Sequence, residues 1–429
     1  MPPARCCCAG CSPTATRSRA AASPRSPTCA PGNKAMTDAA VPLEYDALIA
    51  AARQRSGLED FGPDWIFTPF RVYLDAIAKE AELSEIGRFI QGESIIKGLV
   101  ARLRRTDDIR RHPEILDEQV TVAATIVSLH RTGSTLMHRM LGSAPSLTAM
   151  HWWETQFPAP LEGEARGDPG GRRAAAQTLL DQWLAAMPEL LSIHPMSLDQ
   201  PDEEVSLQEQ MFMGLSPESF LHIPSYAAWS ATADHRPVYE DLRLWLQYLQ
   251  WQDRSRAGRA WVLKTPAHLT APEQLAAVFP ETVIVMTHRD PIKTIPSFAS
   301  MSFTLRRMLS DRADKARTGR HWLDRLSTLM SRLMRLRPSI GEHRFVDIDY
   351  EELVKDPIAQ ARRVFAAMGR ELGGEDEAAM RAWFGRNPRD GRPSHQYGLE
   401  EYGLTAEAID ERFADYKARF LKRRAVEAA

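Results

Sequence analysis

Apolar residues recur along this chain at two different spacings, and the change from one to the other divides it. Between Tyr45 and about Arg111 they come three and four apart. Phe70, Tyr73, Leu74 and Ile77 fall on one helical face, and Ile86, Phe89 and Ile90 continue the pattern. This predicts a helical N-terminal segment packed against the rest of the protein. His112-Pro113 ends it, because a residue before proline is pushed out of the helical region. From about Thr121 short β-branched and apolar runs alternate with helical stretches. Residues 122–129, 261–264, 282–287 and 345–348 read as buried strands. Residues 174–191, 238–251, 272–279, 294–309 and 359–368 read as helices, and 163–173 and 199–204 as loops. Strands alternating with helices predict an α/β fold, a P-loop-like three-layer sandwich around a central parallel sheet. Residues 303–337 read as one long helical stretch. Its Arg306, Arg307, Arg312, Arg317 and Arg320 are interleaved with Asp311, Asp314 and Asp324, the pattern of a solvated face rather than a nucleic-acid surface.

Composition narrows the picture. The 429 residues are 44% hydrophobic and 26% charged, which suits a globular protein with a large core. No run approaches eighteen apolar residues, so no transmembrane segment is expected, and the expected location is the cytoplasm. A formal net charge of −2 argues against a general nucleic-acid binder. All five cysteines (Cys6, Cys7, Cys8, Cys11 and Cys29) precede residue 30, so the remainder offers no disulfide and no thiolate metal site. Residues 1–35 also hold Arg5, Arg17, Arg19, Arg25 and Lys34 and no acid. Without them the chain has 49 basic against 56 acidic residues. Three readings of this stretch stand: a disordered tail, a transit-like peptide, or sequence upstream of a true start at Met36. The first and third are favoured. The expected organisation is a disordered or non-native extension over 1–35, a helical segment over 36–115 and the main domain over 116–429.

Two strand ends carry the chemistry. The strand 122–129 runs into Arg131-Thr132-Gly133-Ser134-Thr135 and then into a helix. A strand, a tight turn and a helix start gather backbone N–H groups and a partial positive charge at one point, a ready anion site. Arg131 adds a full charge, and Ser134 and Thr135 add hydroxyls. Taken alone, the turn also fits an ordinary strand–helix connection with serine as the N-cap. It lacks the Gly-Lys-Ser/Thr of a nucleoside triphosphate loop. The strand 282–287 ends in His288-Arg289-Asp290-Pro291, and the helix after it carries Ser297. Arg289 and Ser297 can converge on one phosphate, the arginine through paired hydrogen bonds. Two anion sites at the strand ends of one parallel sheet suit a nucleotide phosphorylated on both sides of its ribose.

Taken together, these motifs resemble the sulfotransferases that use 3′-phosphoadenosine 5′-phosphosulfate (PAPS). Arg131-Thr132-Gly133-Ser134-Thr135 is similar to that family's 5′-phosphosulfate loop, and Arg289 and Ser297 match its 3′-phosphate pair. Tyr350, in Asp349-Tyr350-Glu351-Glu352-Leu353, matches the Tyr-Glu-x-Leu segment whose tyrosine approaches the nucleotide. The likeness runs over about residues 120–404. Arg131 stands where cytosolic members have lysine, so the chain is more like bacterial and tyrosylprotein-type members. The stretches Ile193-His194-Pro195-Met196 and His222-Ile223-Pro224-Ser225-Tyr226 resemble a bacterial subgroup. His130 departs from the proline usual before the arginine. Residues 387–404 replace the Gly-rich nucleotide loop of cytosolic members, with Arg392 the guess there for a 3′-phosphate contact.

The resemblance implies a sulfuryl donor, PAPS, and a small-molecule hydroxyl acceptor, with no metal required. Sulfuryl transfer is an in-line displacement governed by positioning and electrostatics. Arg131 and Lys264 are expected to support the leaving phosphate. Lys264, in Leu263-Lys264-Thr265-Pro266, matches the Lys-x-Pro segment of the tyrosylprotein-type enzymes. Glu154, in Trp153-Glu154-Thr155, resembles their catalytic glutamate and is the expected general base, with His194 and Glu204 as rivals. His151 and His222 read as structural. Trp152, Trp153, Phe157, Tyr226 and Trp229 suggest an apolar acceptor pocket or, equally, core. Two other functions compete: a kinase-like phosphotransferase using ATP and Mg²⁺, and a non-catalytic binding protein for the same nucleotide. The oligomeric state stays open, homo-oligomers included.

Overall fold

The computed structural model describes residues 41–189, 196–387 and 398–421. Three helices come first: α1 (Tyr45–Ser56), α2 (Phe67–Glu80) and α3 (Glu85–Arg111). In α2 the apolar face expected from the sequence is the buried one, with Phe70, Tyr73, Leu74 and Ile77 all in the core. In α3 the pattern misleads, because Ile86 and Ile90 are 40% and 38% exposed. The first turn of α3 presses on the main domain through glycine instead. A Cβ on Gly87 would stand 1.9 Å from the carbonyl oxygen of Leu309, so no side chain fits there. Farther along, Ile95, Ile96, Leu99 and Leu103 make the buried side. His112 and Pro113 end the helix as expected.

The sheet has five parallel strands: β1 (Val122–Ile126), β2 (Leu147–Thr148), β3 (Ala260–Lys264), β4 (Val283–His288) and β5 (Phe345–Asp349), in the order β2-β3-β1-β4-β5. Among the described residues, the helices between β1 and β5 are α4 (Ser134–Gly142), α5 (Trp152–Gln156), α6 (Gly170–Ala186), α7 (Val205–Gln210), α8 (Pro217–Phe220), α9 (Pro224–Ser230), α10 (Arg236–Gln252), α11 (Pro272–Val278), α12 (Pro291–Leu309) and α13 (Lys315–Ile340). After β5 come α14 (Tyr350–Lys355), α15 (Pro357–Ala367), α16 (Gly374–Arg386), α17 (Ala406–Arg412) and α18 (Ala414–Phe420).

Alternation along the strands sorts the core into two layers. Trp261, Leu263, Ile284, Met286 and Phe345 join the cluster built on α10, α12 and α13. Ala260, Val262, Val283, Val285, Val346 and Ile348 face the other way, onto Met137, Met140 and Leu141 of α4 and Ile358, Ala361 and Val364 of α15. Helices on both faces of a parallel sheet give the expected three-layer fold. β1 lies between β3 and β4, with Ile126 in register with Lys264 on one side and Val285 on the other. The chain leaves β1 for the far edge at β2, returns to β3 and then crosses to β4. β1 is therefore the switch point of the sheet, where the carboxyl ends of neighbouring strands leave a crevice.

The stretch 303–337 is two helices rather than one, broken between the C-cap Ser310 of α12 and the N-cap Asp314 of α13. Its arginines are also not all solvated. Arg306 is buried, and its guanidinium donates to the carbonyl of Glu218 at 2.6 Å and to Thr318 Oγ1 at 3.3 Å.

The helical segment and the sheet share one compact unit. Phe70 stacks on Phe212 with ring centroids 4.2 Å apart. Deeper in, Asp241 of α10 pairs with Arg102 at 3.0 Å and Arg105 at 2.7 Å, all three side chains buried. Burial pushes the Asp241 carboxyl up, but the charges of Arg105 and Arg102 outweigh it and hold it below its usual range. Among the described residues, no helix is long and apolar enough to cross a membrane.

One buried histidine makes the fold pH-sensitive. His138 of α4 lies under β3, with Nε2 3.3 Å from the carbonyl of Val262. Burial is the main cause that lowers its imidazole to about 4. An unfolded histidine titrates near pH 6.5, so between that pH and about 4 the unfolded chain holds the extra proton. Stability is therefore expected to fall as pH falls through this window, with up to about 1.4 kcal/mol per pH unit from this one group. Urea denaturation of His138→Gln should show a shallower decline than the parent protein. An equal slope in the two would contradict the assignment.

Candidate active site

Because β1 ends between β3 and β4, the turn after it is where their terminal side chains meet. Two turn residues adopt the left-handed region, Arg131 at φ 66° and Gly133 at φ 91°. For a non-glycine this conformation costs roughly 1–3 kcal/mol and tends to occur at functional sites. Gly133 is required both by its φ and by a close approach. A Cβ there would come within 3.1 Å of Tyr350 Cδ2 and of Leu353 Cδ2. Thr132 is fully buried. Its hydroxyl donates to the Leu129 carbonyl at 2.8 Å and lies 2.7 Å from Thr287 Oγ1, while Ser128 Oγ accepts from the Thr287 N–H at 2.8 Å. This chain of hydroxyls fastens the turn to β4, so the Thr132 side chain serves the turn itself.

The serine-capped turn is not what is built. Gly133 is the N-cap of α4, Ser134 is the first helical residue, and no side chain caps the helix. The first-turn N–H groups, which have no intrahelical acceptor, face no competing side-chain cap. Around this helix start the structure gathers Thr135, Lys264, Ser297, Arg289 and Tyr350. Lys264 Nζ donates to Thr135 Oγ1 at 3.2 Å. Arg131 Nε donates to Ser297 Oγ at 3.2 Å, and Arg289 Nη1 to the Arg131 carbonyl at 3.1 Å. The Arg289 guanidinium lies 4.1 Å from the ring centroid of Tyr350, the first residue of α14. The ends of β1, β3, β4 and β5 thus each supply part of one basic cleft, and the residues come from the three segments singled out in the sequence and from Lys264.

His130 sits behind the turn. Its ring stacks on Phe298 with centroids 3.3 Å apart, and its Nδ1 is buried without a hydrogen-bond partner. Burial, then the charges of Lys264 and Arg131, push this imidazole well below its ordinary value. A neutral ring is what two adjacent cations tolerate.

Glu154 is held by a buried arginine. Both its oxygens lie 2.7 Å from Arg256 Nη2, and Oε2 also accepts the His151 N–H at 2.8 Å in a capping box that starts α5. The Arg256 guanidinium lies over the ring of Trp261, 4.9 Å from its centroid. Trp261 and Lys264 are three residues apart on β3, so their side chains leave opposite faces of the sheet. Here Glu154 is the ion-pair partner of that arginine, a structural role that stands beside its expected role as general base. The carboxylates at Lys264 are Glu203, in an ion pair with Nζ, and Glu204, whose Oε2 accepts the Lys264 backbone N–H at 3.0 Å. Burial raises the Glu204 carboxyl, but its hydrogen bond to His268 at 2.6 Å contributes to a net lowering. Glu203 was passed over in the sequence as part of an acidic loop. The three consecutive acids Asp202-Glu203-Glu204 were the available signal.

His194 and Arg392 lie outside the described residues, as do residues 1–35 and most of 387–404. The aromatic residues do not line one pocket. Trp152, Trp153 and Phe157 pack with Ala176 and Leu180, whereas Tyr226 and Trp229 pack with the N-terminal helices. Among the described residues, no three His, Cys, Asp or Glu side chains gather as a metal site.

Comparison with known proteins places the fold among known families. Residues 124–373 match the model of the Sulfotransferase family. The structure is similar to that of sulfotransferase STF1 from Mycobacterium tuberculosis H37Rv, at 30% identity and a TM-score of 0.77 over 87% of this chain and 98% of the other. It is also similar to sulfotransferase STF9 from Mycobacterium avium, at 29% identity and a TM-score of 0.79 over 89% and 97% of the two chains. No curated protein matches the sequence.

The Glu154–Arg256 pair generates a direct test. Glu154→Gln removes the buried one of the two carboxylates on Arg256, leaving the half-exposed Asp253 at 3.2 Å, which is expected to cost roughly 1–3 kcal/mol in urea denaturation. Unchanged stability together with slowed turnover would leave Glu154 with the chemistry alone.

Proposed function

The chain belongs to the sulfotransferase family, and from that premise we propose that it takes the sulfuryl group from PAPS and delivers it to the hydroxyl of a small-molecule acceptor. The observation that supports this reading is the cleft at the end of β1, where an uncapped helix start lies between two basic positions. Gly133, with its left-handed backbone, lets the turn pack against Tyr350 and Leu353 and makes the N-cap of a helix whose first N–H groups have no side-chain cap. In this reading the turn Arg131–Thr135 receives the 5′-phosphosulfate through its backbone N–H groups and the Thr135 hydroxyl. Arg289 and Ser297 receive the 3′-phosphate, the arginine by its planar pair of donors, with Tyr350 beneath the guanidinium against the nucleotide.

Arg131 and Lys264 have the kinetic role. As the bond from sulfur to the 5′-phosphate lengthens, negative charge grows on the phosphate oxygen. Cations already in position oppose that charge without further reorganisation. Lys264 suits this role because β3 fixes it rigidly at a strand end and its side chain is buried, so its charge acts with little screening. Arg131 suits it because it stands in the left-handed turn two residues before the N-cap Gly133, beside the helix start.

A transfer assay with labelled PAPS across hydroxylated acceptors tests the activity. For the donor, calorimetry with adenosine 3′,5′-bisphosphate is expected to show binding that Arg289→Ala weakens roughly tenfold to a hundredfold, the loss of a charge-assisted hydrogen-bond pair. Unchanged affinity in that variant would remove Arg289 from the 3′-phosphate.

A further inference from the structure

Two consecutive acids hold Lys264 at both ends. Glu204 binds its backbone N–H at 3.0 Å and is itself anchored, because its other oxygen meets His268 Nε2 at 2.6 Å and His268 Nδ1 meets Tyr239 OH at 3.2 Å. Glu203 pairs with the Lys264 ammonium, which also donates to Thr135. The segment carrying both acids is pinned from below. Arg139 Nε donates to the Pro201 carbonyl at 3.1 Å, and Asp202 Oδ1 accepts the Glu203 N–H at 2.7 Å. Glu204 is buried and committed to His268 and to the Lys264 backbone. Glu203 is the less buried of the two acids, its side chain 16% exposed and paired with the ammonium that also meets Thr135.

We propose that Glu203 acts twice: it neutralises Lys264 while the cleft is empty, and it takes the proton of the acceptor hydroxyl once the donor has drawn Lys264 away. This rests on the reading of the turn as the phosphosulfate site. Lys264 Nζ already touches Thr135 in that turn, so a phosphosulfate seated there competes with Glu203 for the same ammonium. The donor's charge weakens the hold of Lys264 on Glu203, and the carboxylate is released to the acceptor as the donor takes its place. Donor binding therefore comes before deprotonation of the acceptor. In the transfer the acceptor oxygen forms a bond to sulfur and the bond from sulfur to the bridging phosphate oxygen breaks. The electron pair stays on that oxygen, opposite Lys264 and Arg131. The acceptor proton passes to the Glu203 carboxylate and from there to water.

Glu203→Gln separates this role from a structural one. Its ammonium partner no longer has to leave a carboxylate, so calorimetry should show adenosine 3′,5′-bisphosphate binding roughly fivefold to tenfold tighter than to the parent protein. In the same variant kcat should fall about 10²–10⁴-fold, the usual contribution of a general base. Glu203→Asp keeps the charge on a shorter side chain, so it should hold affinity near the parent value and recover part of the turnover. Weaker or unchanged nucleotide affinity in Glu203→Gln, or a kcat within about threefold of the parent, overturns the proposal and leaves the donor reading standing. A parent protein that binds no adenosine 3′,5′-bisphosphate overturns the donor reading and this proposal with it.

Discussion

The site depends on one constraint, the position of β1 between β3 and β4. In a parallel sheet all strands end at the same edge. A central strand whose neighbours come from later in the chain therefore leaves its turn open to their last residues. Ile126 stands beside Lys264, and the strand that ends in His288 brings Arg289 next to the same turn. The turn must pass close to β5 as well, which is why Gly133 lies against Tyr350 and Leu353. The chain of hydroxyls through Ser128, Thr287 and Thr132 then locks the turn to β4, so the basic side chains are placed by the sheet rather than by loop contacts.

That placement has an electrostatic cost. Arg131, Arg289 and Lys264 converge near a helix start that carries its own partial positive charge. The protein lowers the cost in three ways visible in the geometry. Arg289 donates to the carbonyl of Arg131 and lies over an aromatic face, Lys264 is paired with Glu203, and His130 behind the turn is held neutral. Each of these favours a cleft that is stable when empty but better matched electrostatically when an anion arrives. The left-handed backbone at Arg131 fits the same picture of strain held at a functional turn.

Much of this was legible in the sequence, for a definite reason. Buried parallel strands are short continuous apolar runs, and β1, β3, β4 and β5 each appear as one. Residues immediately after such runs are forced to the same edge, so Arg131 and Arg289 could be grouped without coordinates, whereas Lys264 and Tyr350 joined them through the family resemblance. What spacing does not carry is side-chain direction. Glu154 follows a strand as those residues do, but its carboxylate turns to Arg256 on the face of Trp261, and spacing along the chain carries no trace of that choice. Glu203 was hidden in an acidic stretch that resembles any solvated loop. In α3 the docking face is glycine, so apolar spacing pointed to Ile86 and Ile90 on the wrong side. Arg306 went the same way, since a buried arginine bound to a carbonyl looks in sequence like its exposed neighbours.

The central claim is that the cleft at the end of β1 holds a nucleotide by two phosphates at once. A crystal structure of the protein with adenosine 3′,5′-bisphosphate tests it most directly. The account predicts the 5′-phosphate on the backbone N–H groups of the turn at Gly133–Thr135, the 3′-phosphate on Arg289 and Ser297, and Lys264 moved from Glu203 toward the 5′-phosphate. A nucleotide bound elsewhere, or bound there with its 3′-phosphate away from Arg289, would contradict it.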